Sequence, residues 1–306
     1  MSTRGIRFVT KVSRKLKVAI LGSGNIGSDL LSKIMRSEML ECTLFIGRNL
    51  SSRGVARAAA MGVPVSDKSI DAIIDNPDVC DLVFDATSAL SHLRHAPVLE
   101  RLGKLVIDMT PSNLGQMCVP AVNLEEGLSH TNVNMVTCGG QATVPIAHVI
   151  GQVHGTVPYI EVVSQIASRS AGPATRINLD EYIENTERAV LEFSGCQHAK
   201  AILNLNPAQP PVDMQSTVFA KTDHPDLDAL RPAIDTMVEQ IRQYVPGYQL
   251  IVPPTIENGR IVVMVRVLGL GDYLPAYAGN LDIINCAAIA VAEGHAKRAF
   301  VRQGGE

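Results

Sequence analysis

Tryptophan is absent from this 306-residue chain, and aromatic residues make up only 4% of it. Base-stacking platforms need such rings, so a groove for single-stranded nucleic acid has little to be built from. A net charge of −3 supplies no positive field to draw in a polyanion. No nucleic-acid partner is therefore expected. No apolar run reaches about 18 residues, so no membrane span is expected either. The six cysteines (Cys42, Cys80, Cys118, Cys138, Cys196 and Cys286) form no C-x-x-C pair and stand at no zinc-ligand spacing with a histidine. No metal centre is expected, and scattered thiols in a chain of this length read as reduced, which fits a cytoplasmic setting. Residues 1–16 carry Arg4, Arg7, Lys11, Arg14 and Lys15 without an acid. They lack the apolar stretch of a secretory signal and read as a basic tail.

What is present is a hydrophobic content of 46% against 19% charged residues, enough for two domains with substantial cores. Between residues 17 and 137 short apolar runs alternate with helical spacings. Residues 17–21, 43–46, 81–85 and 105–108 read as buried strands, and 26–39, 55–61 and 92–102 read as helices. That alternation predicts an α/β fold: a Rossmann-type doubly wound parallel sheet. Beyond residue 137 the pattern changes. Residues 159–166 and 260–268 alternate as strands with one wet face, and 179–193 and 225–243 are amphipathic helices, which predicts an α+β domain. The alanine-rich helix from residue 281 is expected to return to the first domain. The expected division is a dinucleotide-binding domain of residues 17–137 plus 281–306, and a catalytic and oligomerisation domain of residues 138–280.

Gly22-Ser-Gly-Asn-Ile-Gly27 fits G-x-G-x-x-G between an apolar strand and a helix. Its glycines allow the tight turn, the approach of pyrophosphate to the backbone, and close strand–helix packing. The acid expected about 20 residues on, to grip a ribose 2′-hydroxyl, is missing. The segment there is Gly47-Arg-Asn-Leu-Ser-Ser-Arg-Gly54. Arg48 and Arg53 are candidate contacts for a 2′-phosphate, so the cofactor is NAD or NADP.

Cys138 follows a short strand and precedes Gly139-Gly140 and a helix expected over residues 142–149. A thiolate near a helix N-terminus is stabilised by the dipole and free amides, and the glycines leave N–H groups open to an oxyanion. A dinucleotide site plus a thiolate nucleophile points to aldehyde oxidation through a thiohemiacetal and a thioester. The acyl acceptor stays open among water, phosphate and coenzyme A. A phosphorylating or hydrolytic semialdehyde dehydrogenase, and a dinucleotide-binding sensor without catalysis, are the alternatives at this point. Cys118 is expected to lack a helix start. His92 and His95, three apart on a helix, are expected at its surface or end, and no histidine is assigned as a base to Cys138.

The chain also resembles the acylating acetaldehyde dehydrogenases that partner 4-hydroxy-2-oxovalerate aldolase in bacterial aromatic catabolism. The resemblance spans about residues 17–297. It rests on residues 22–27, Asp85-Ala-Thr-Ser88, Ile107-Asp-Met-Thr-Pro111, residues 132–143 around Cys138, Ser170-Ala-Gly-Pro-Ala-Thr-Arg176, Asn206-Pro-Ala208, Tyr244-Val-Pro-Gly-Tyr248, Gly271-Asp-Tyr-Leu-Pro275 and Ala278-Gly-Asn-Leu-Asp-Ile283. It implies a short aldehyde such as acetaldehyde as substrate, coenzyme A as acyl acceptor and Cys138 as the acyl-carrying residue. It also implies cofactor contacts by Ser23, Gly24, Asn25 and Ile26, by Ser170, Ala171, Gly172, Pro173, Ala174, Thr175, Arg176, Ile177 and Asn178, and by Asn280. By analogy with such two-domain enzymes, a homodimer is expected. The chain departs from the family pattern at Ser216, where an aspartate thought to assist the thiol is usual, and at Leu90 and Ala174. Asp213, three positions before Ser216, is expected to face the other side of its strand.

Overall fold

The structure is a computed structural model that describes residues 15–303. Residues 1–14 of the basic tail lie outside the described residues. The first half alternates in the expected way: β1 (Leu16–Leu21), α1 (Asn25–Ile34), β2 (Leu40–Ile46), α2 (Arg53–Ala60), β3 (Val65–Ser66), α3 (Asp71–Ile74), β4 (Leu82–Asp85), α4 (Ala89–Arg101), β5 (Leu105–Asp108), β6 (Gln116–Met117), α5 (Pro120–Gly127) and β7 (Asn132–Asn134). These strands form one seven-stranded sheet in the order β3-β2-β1-β4-β5-β7-β6, and every pairing is parallel. β1 and β4 are buried almost throughout, as continuous apolar strands covered on both faces must be. The order reverses between β1 and β4, and the crevice beyond their C-terminal ends is where an α/β sheet takes its ligand.

The second half contains α6 (Cys138–His154), β8 (Tyr159–Ala167), α7 (Pro173–Ile177), α8 (Leu179–Ser194), β9 (His198–Asn206), β10 (Met214–Lys221), α9 (Leu227–Arg242), β11 (Tyr248–Glu257), β12 (Arg260–Val267) and α10 (Gly279–Gln303). Its five-stranded sheet has the order β11-β12-β10-β8-β9. The pairings are antiparallel except β8 with β9, which run parallel. β8 and β10 alternate buried and half-buried residues, so one face meets the helices. Fully buried Tyr248 ties this sheet to the central helix by donating its hydroxyl to Ala142 O on α6 at 2.7 Å. No helix among the described residues is long and apolar enough to cross a membrane.

Two expectations of local structure are corrected. α6 starts at Cys138, not near Ala142, because Thr137 caps it: its Oγ1 accepts from Gly140 N at 2.8 Å. Cys118 does stand next to a helix start, since Pro120 opens α5, a position where its missing N–H costs nothing. Burial pushes that thiol up to about 12, so it stays inert.

α10 returns to the first sheet and lies on α1. Asn285 Nδ2 donates to Ile26 O at 3.2 Å and to Asp29 Oδ2 at 2.7 Å. Beside this contact buried Lys33 donates to three carboxylates: Asp29 (2.8 Å), Asp272 (2.9 Å) and Asp282 (2.6 Å). Burial alone would lower the Lys33 ammonium, but Asp29 and Asp282 outweigh it and raise its pKa. Arg36, bonded to Asp272 along with Lys33, holds that carboxyl down at about 2. Its stabilising contribution is present above the ordinary value of 3.8 and is lost as pH falls from there towards 2. Lys33→Met strands buried charges and is expected to cost about 3–5 kcal/mol. A fall in the thermal and denaturant midpoints measures this, and an unchanged midpoint would show that the clamp contributes nothing.

Candidate active site

The glycine turn is built as the motif requires. Gly22 has φ of +123°, and a Cβ there would meet Ala86 O at 2.4 Å. At Gly27 a Cβ would meet Gly22 O at 2.0 Å. Gly24 has nothing within 4 Å on its open side and is exposed, so a ligand can reach its backbone. Ser23, Asn25 and Ile26 surround it, half-buried. The expected second segment reaches the same place, because a Cβ on Gly172 would sit 3.5 Å from Asn25 Nδ2. Within that segment buried Ser170 bonds Ala167 O, and buried Asn178 stands at the residue just before α8. Arg176 is consumed by its own turn, donating to Ala171 O and to Ser168 O and Oγ. Ala171 is buried, Pro173 and Ile177 are exposed, and Thr175 is half-buried. Asn280, at the start of α10, is buried with an unpartnered Oδ1. A buried amide oxygen without a partner is costly and marks a place for a ligand's donor.

The basic segment folds onto this turn. Ser52 Oγ lies 3.3 Å from Ser23 Oγ, and a Cβ on Gly54 would meet Ser23 O at 2.2 Å. Arg48 and Arg53 are exposed and make no ion pair among the described residues.

The nucleophile's setting is tighter than expected. β7 ends at Asn134, and the chain turns through Val136 at φ +60°. For a β-branched residue this costs roughly 1–3 kcal/mol and persists only where neighbours enforce it. Cys138 then opens α6 and is 8% exposed. Its Sγ lies 3.5 Å from the hydroxyl of Tyr182 on α8, and that hydroxyl accepts from Gly139 N at 2.8 Å. The amide expected to be open is thus held by a tyrosine. Gly139 is needed for this approach, since a Cβ would come within 2.2 Å of the Tyr182 oxygen. Burial pushes the Cys138 thiol up, against the hydrogen bonds of Tyr182 and the Gly139 and Cys138 amides. The expected low-pKa thiolate is not the resting state, because the dry surroundings outweigh the helix start. Burial, then the neighbouring Cys138, drives the Tyr182 phenol far above its ordinary value, so it remains a proton donor.

Ser216 reaches this region through a partner. It faces Ser164 across β10 and β8, with the two Oγ atoms 2.8 Å apart and both buried. The Ser164 oxygen would be 2.9 Å from a Cβ on Gly139. Asp213 stands apart, 3.9 Å from Arg266.

His92 and His95 are the largest correction. Both are buried under the β4 and β5 ends, and their Nδ1 atoms lie 3.0 and 2.8 Å from Asp85 Oδ2. Their i, i+3 spacing points inward because the strand ends supply carboxylates there, a long-range match that local spacing does not carry. His148 lies on α6 and bonds Phe193 O at 2.7 Å, away from the thiol. Tyr182 also escaped notice, as a tyrosine in an amphipathic helix carries no local mark of a catalytic place.

The two sheets and the thiol at their junction define a nicotinamide-type dehydrogenase architecture. Two aspartate-semialdehyde dehydrogenase structures share this fold: that from Vibrio cholerae (TM-score 0.62, 14% identity, covering 92% of this chain and 98% of that one) and that from Candida albicans with NADP (TM-score 0.63, 10% identity, 92% and 99%). A family model described as prokaryotic acetaldehyde dehydrogenase, dimerisation, matches residues 138–275. Acetaldehyde dehydrogenases of Pectobacterium atrosepticum and Spirochaeta aurantia are 59% and 58% identical, covering 93% and 94% of this chain and 97% of each relative. The chain belongs to the acetaldehyde dehydrogenase family and is an oxidoreductase that oxidises an aldehyde.

Gly139→Ala is expected to displace the Tyr182 hydroxyl and lower kcat by about tenfold or more. Dinucleotide binding, read by fluorescence titration, should stay near the wild-type value. Full activity in this variant would remove Tyr182 from the site.

Proposed function

We propose that the chain is an acylating enzyme: it converts a short aldehyde and coenzyme A to acyl-CoA with NAD or NADP, through a thioester on Cys138. The observation that carries this is Cys138 at the first position of α6, within reach of the Tyr182 hydroxyl and the Gly139 amide. The Cys138 thiol adds across the aldehyde carbonyl, its sulfur to carbon and its proton to oxygen, and forms a thiohemiacetal. The Tyr182 phenol, held by the Gly139 N–H, lies beside the sulfur and can donate to charge that develops there. A bound oxidised nicotinamide would supply the acceptor for the hydride of that carbon, and loss of the hydroxyl proton to solvent leaves the thioester on Cys138. The open backbone at Gly24, the neighbouring 170–178 segment and the orphaned Asn280 Oδ1 fit a dinucleotide there. Cys138 then carries the acyl group until the thiol of coenzyme A takes it and releases Sγ. The Ser164–Ser216 pair occupies the place usual for a carboxylate, and among the described residues Tyr182 is the side chain bonded to the thiol.

Cofactor choice follows from the basic segment. Residues 47–54 contain no carboxylate to repel a 2′-phosphate, and Arg48 and Arg53 stand beside the glycine turn. NADP is therefore accepted alongside NAD. The dimerisation region at residues 138–275 supports a homodimer. A 4-hydroxy-2-oxovalerate aldolase partner belongs to the same reading, and co-elution of the two purified proteins tests it.

Rates measured for several aldehydes, with and without coenzyme A, against NAD and NADP, test the reaction. Reduction of the dinucleotide should require both aldehyde and coenzyme A, and Cys138→Ser should abolish it. Turnover supported by phosphate or water alone would replace coenzyme A, and an active Cys138→Ser would end the thioester reading. Tyr182→Phe is expected to reduce kcat by about tenfold to a hundredfold. Arg53→Ala is expected to lower kcat/KM for NADP by about tenfold and to spare NAD. Equal losses with both cofactors would sink the 2′-phosphate assignment.

A further inference from the structure

Five fully buried polar side chains line up between the dinucleotide crevice and the nucleophile: Asp85, His92, Asp108, Asn134 and Asn185, each at 0% exposure. Asp85 ends β4, just before the Ala86-Thr87-Ser88 loop against Gly22. Its Oδ2 takes the Nδ1 atoms of His92 and His95, and its Oδ1 accepts from Thr87 N at 3.1 Å. The other ring nitrogen of His92 lies 3.6 Å from Asp108 Oδ2 and 3.3 Å from Asn132 Nδ2. Asp108 accepts from Thr110 N (2.8 Å), Ser112 Oγ (2.6 Å) and Asn134 Nδ2 (3.0 Å). This fixes the Asn134 amide with its oxygen towards Val136 N, at 2.8 Å. Asn185, one turn beyond Tyr182 on α8, donates to Asn134 Oδ1 (3.2 Å) and to Val136 O (3.0 Å). Both backbone polar groups of the left-handed residue are therefore gripped by this chain of amides.

We propose that His92, Asp108 and Asn134 form a positioning relay that enforces the left-handed Val136 turn and so sets the position of Cys138 at the start of α6. These residues act through Val136 and do not touch substrate. The inference rests on Cys138 being the nucleophile.

The relay works only while Asp108 is an anion. A carboxylate has acceptor sites for all three donors, and protonation of Oδ2 would take away the one that orients Asn134. Asp85 is a second buried anion close by, and both carboxylates favour the charged form of His92. The charged and titratable groups facing the relay are Asp85 on β4, His95 on α4 and, at its far end, Arg188 on α8, 3.5 Å from Asn185 Oδ1. Burial pushes Asp108 up to about 6, and His92 opposes that rise. Burial would lower the His92 imidazolium, but Asp85 and Asp108 raise it. The turn loosens when acid puts a proton on Asp108.

The test is the pH profile of kcat, read with the rate at which chloroacetamide alkylates Cys138, followed on its peptide by mass spectrometry. His92→Gln removes the positive charge, so the acid limb of kcat should move up by about one pH unit or more. At neutral pH both kcat and alkylation per thiolate should fall by about tenfold, while KM for the dinucleotide stays within about twofold. Asp108→Asn, a permanent stand-in for the protonated acid, should hold kcat near the low wild-type value reached in acid and flatten the acid limb. In the Asn134→Ala background His92→Gln should add no further loss, because both act through one turn. A folded His92→Gln with wild-type kcat and pH profile overturns the relay. So does a loss of kcat that tracks the melting temperature while the profile stays in place. An active Cys138→Ser would instead remove the reading on which the relay rests.

Discussion

The path of the chain from β7 into α6 constrains the rest of the molecule. In four residues it leaves the parallel sheet, passes through a left-handed valine, caps a helix with Thr137 and presents Cys138 at that helix's first position. α6 is also the helix on which the second sheet and α8 and α9 pack, so the element that carries Cys138 is the one that joins the two halves. Space is short around it. Gly139 leaves room for the Tyr182 hydroxyl, and Gly140 for Val136, whose Cγ1 would be 2.6 Å from an added Cβ. A site built this way resists drift, because moving the sulfur means moving core backbone.

Opposing electrostatic effects meet at the thiol. A helix N-terminus and three hydrogen bonds favour a thiolate, and near-complete burial disfavours it, with burial the larger. Keeping the sulfur protonated at rest guards it from oxidation. A neutral phenol beside it can donate to charge once chemistry begins, and a phenolate could not. Away from the thiol, charge serves architecture. Lys33 among Asp29, Asp272 and Asp282 fastens the dinucleotide helix α1 to α10 and to the 268–278 loop, so the end of the chain becomes part of the crevice at its start.

Much of this was legible in residue order. The Rossmann alternation, the strand and helix spans and the glycine turn are local patterns, and the structure carries them with shifts of a few residues. Cys138 was legible because the glycines mark a backbone that must be approached closely. What escaped were partners brought from afar. His92 and His95 read as surface histidines until the ends of β4 and β5 place two aspartates over them. Tyr182 lies 44 residues from Cys138. Ser216 gains its place only through its register with Ser164.

The sequence by itself determined the parallel sheet, the glycine turn after β1 and a cysteine at a helix start, because periodicity, glycine φ freedom and strand–helix punctuation act within a few residues of one another. Tertiary structure alone decided the burial of that cysteine, the phenol and amide at its side, and the buried polar chain from Asp85 to Val136. Each of these depends on how far water is excluded and on which distant side chains fill its place, and neither is written in any short stretch of the chain.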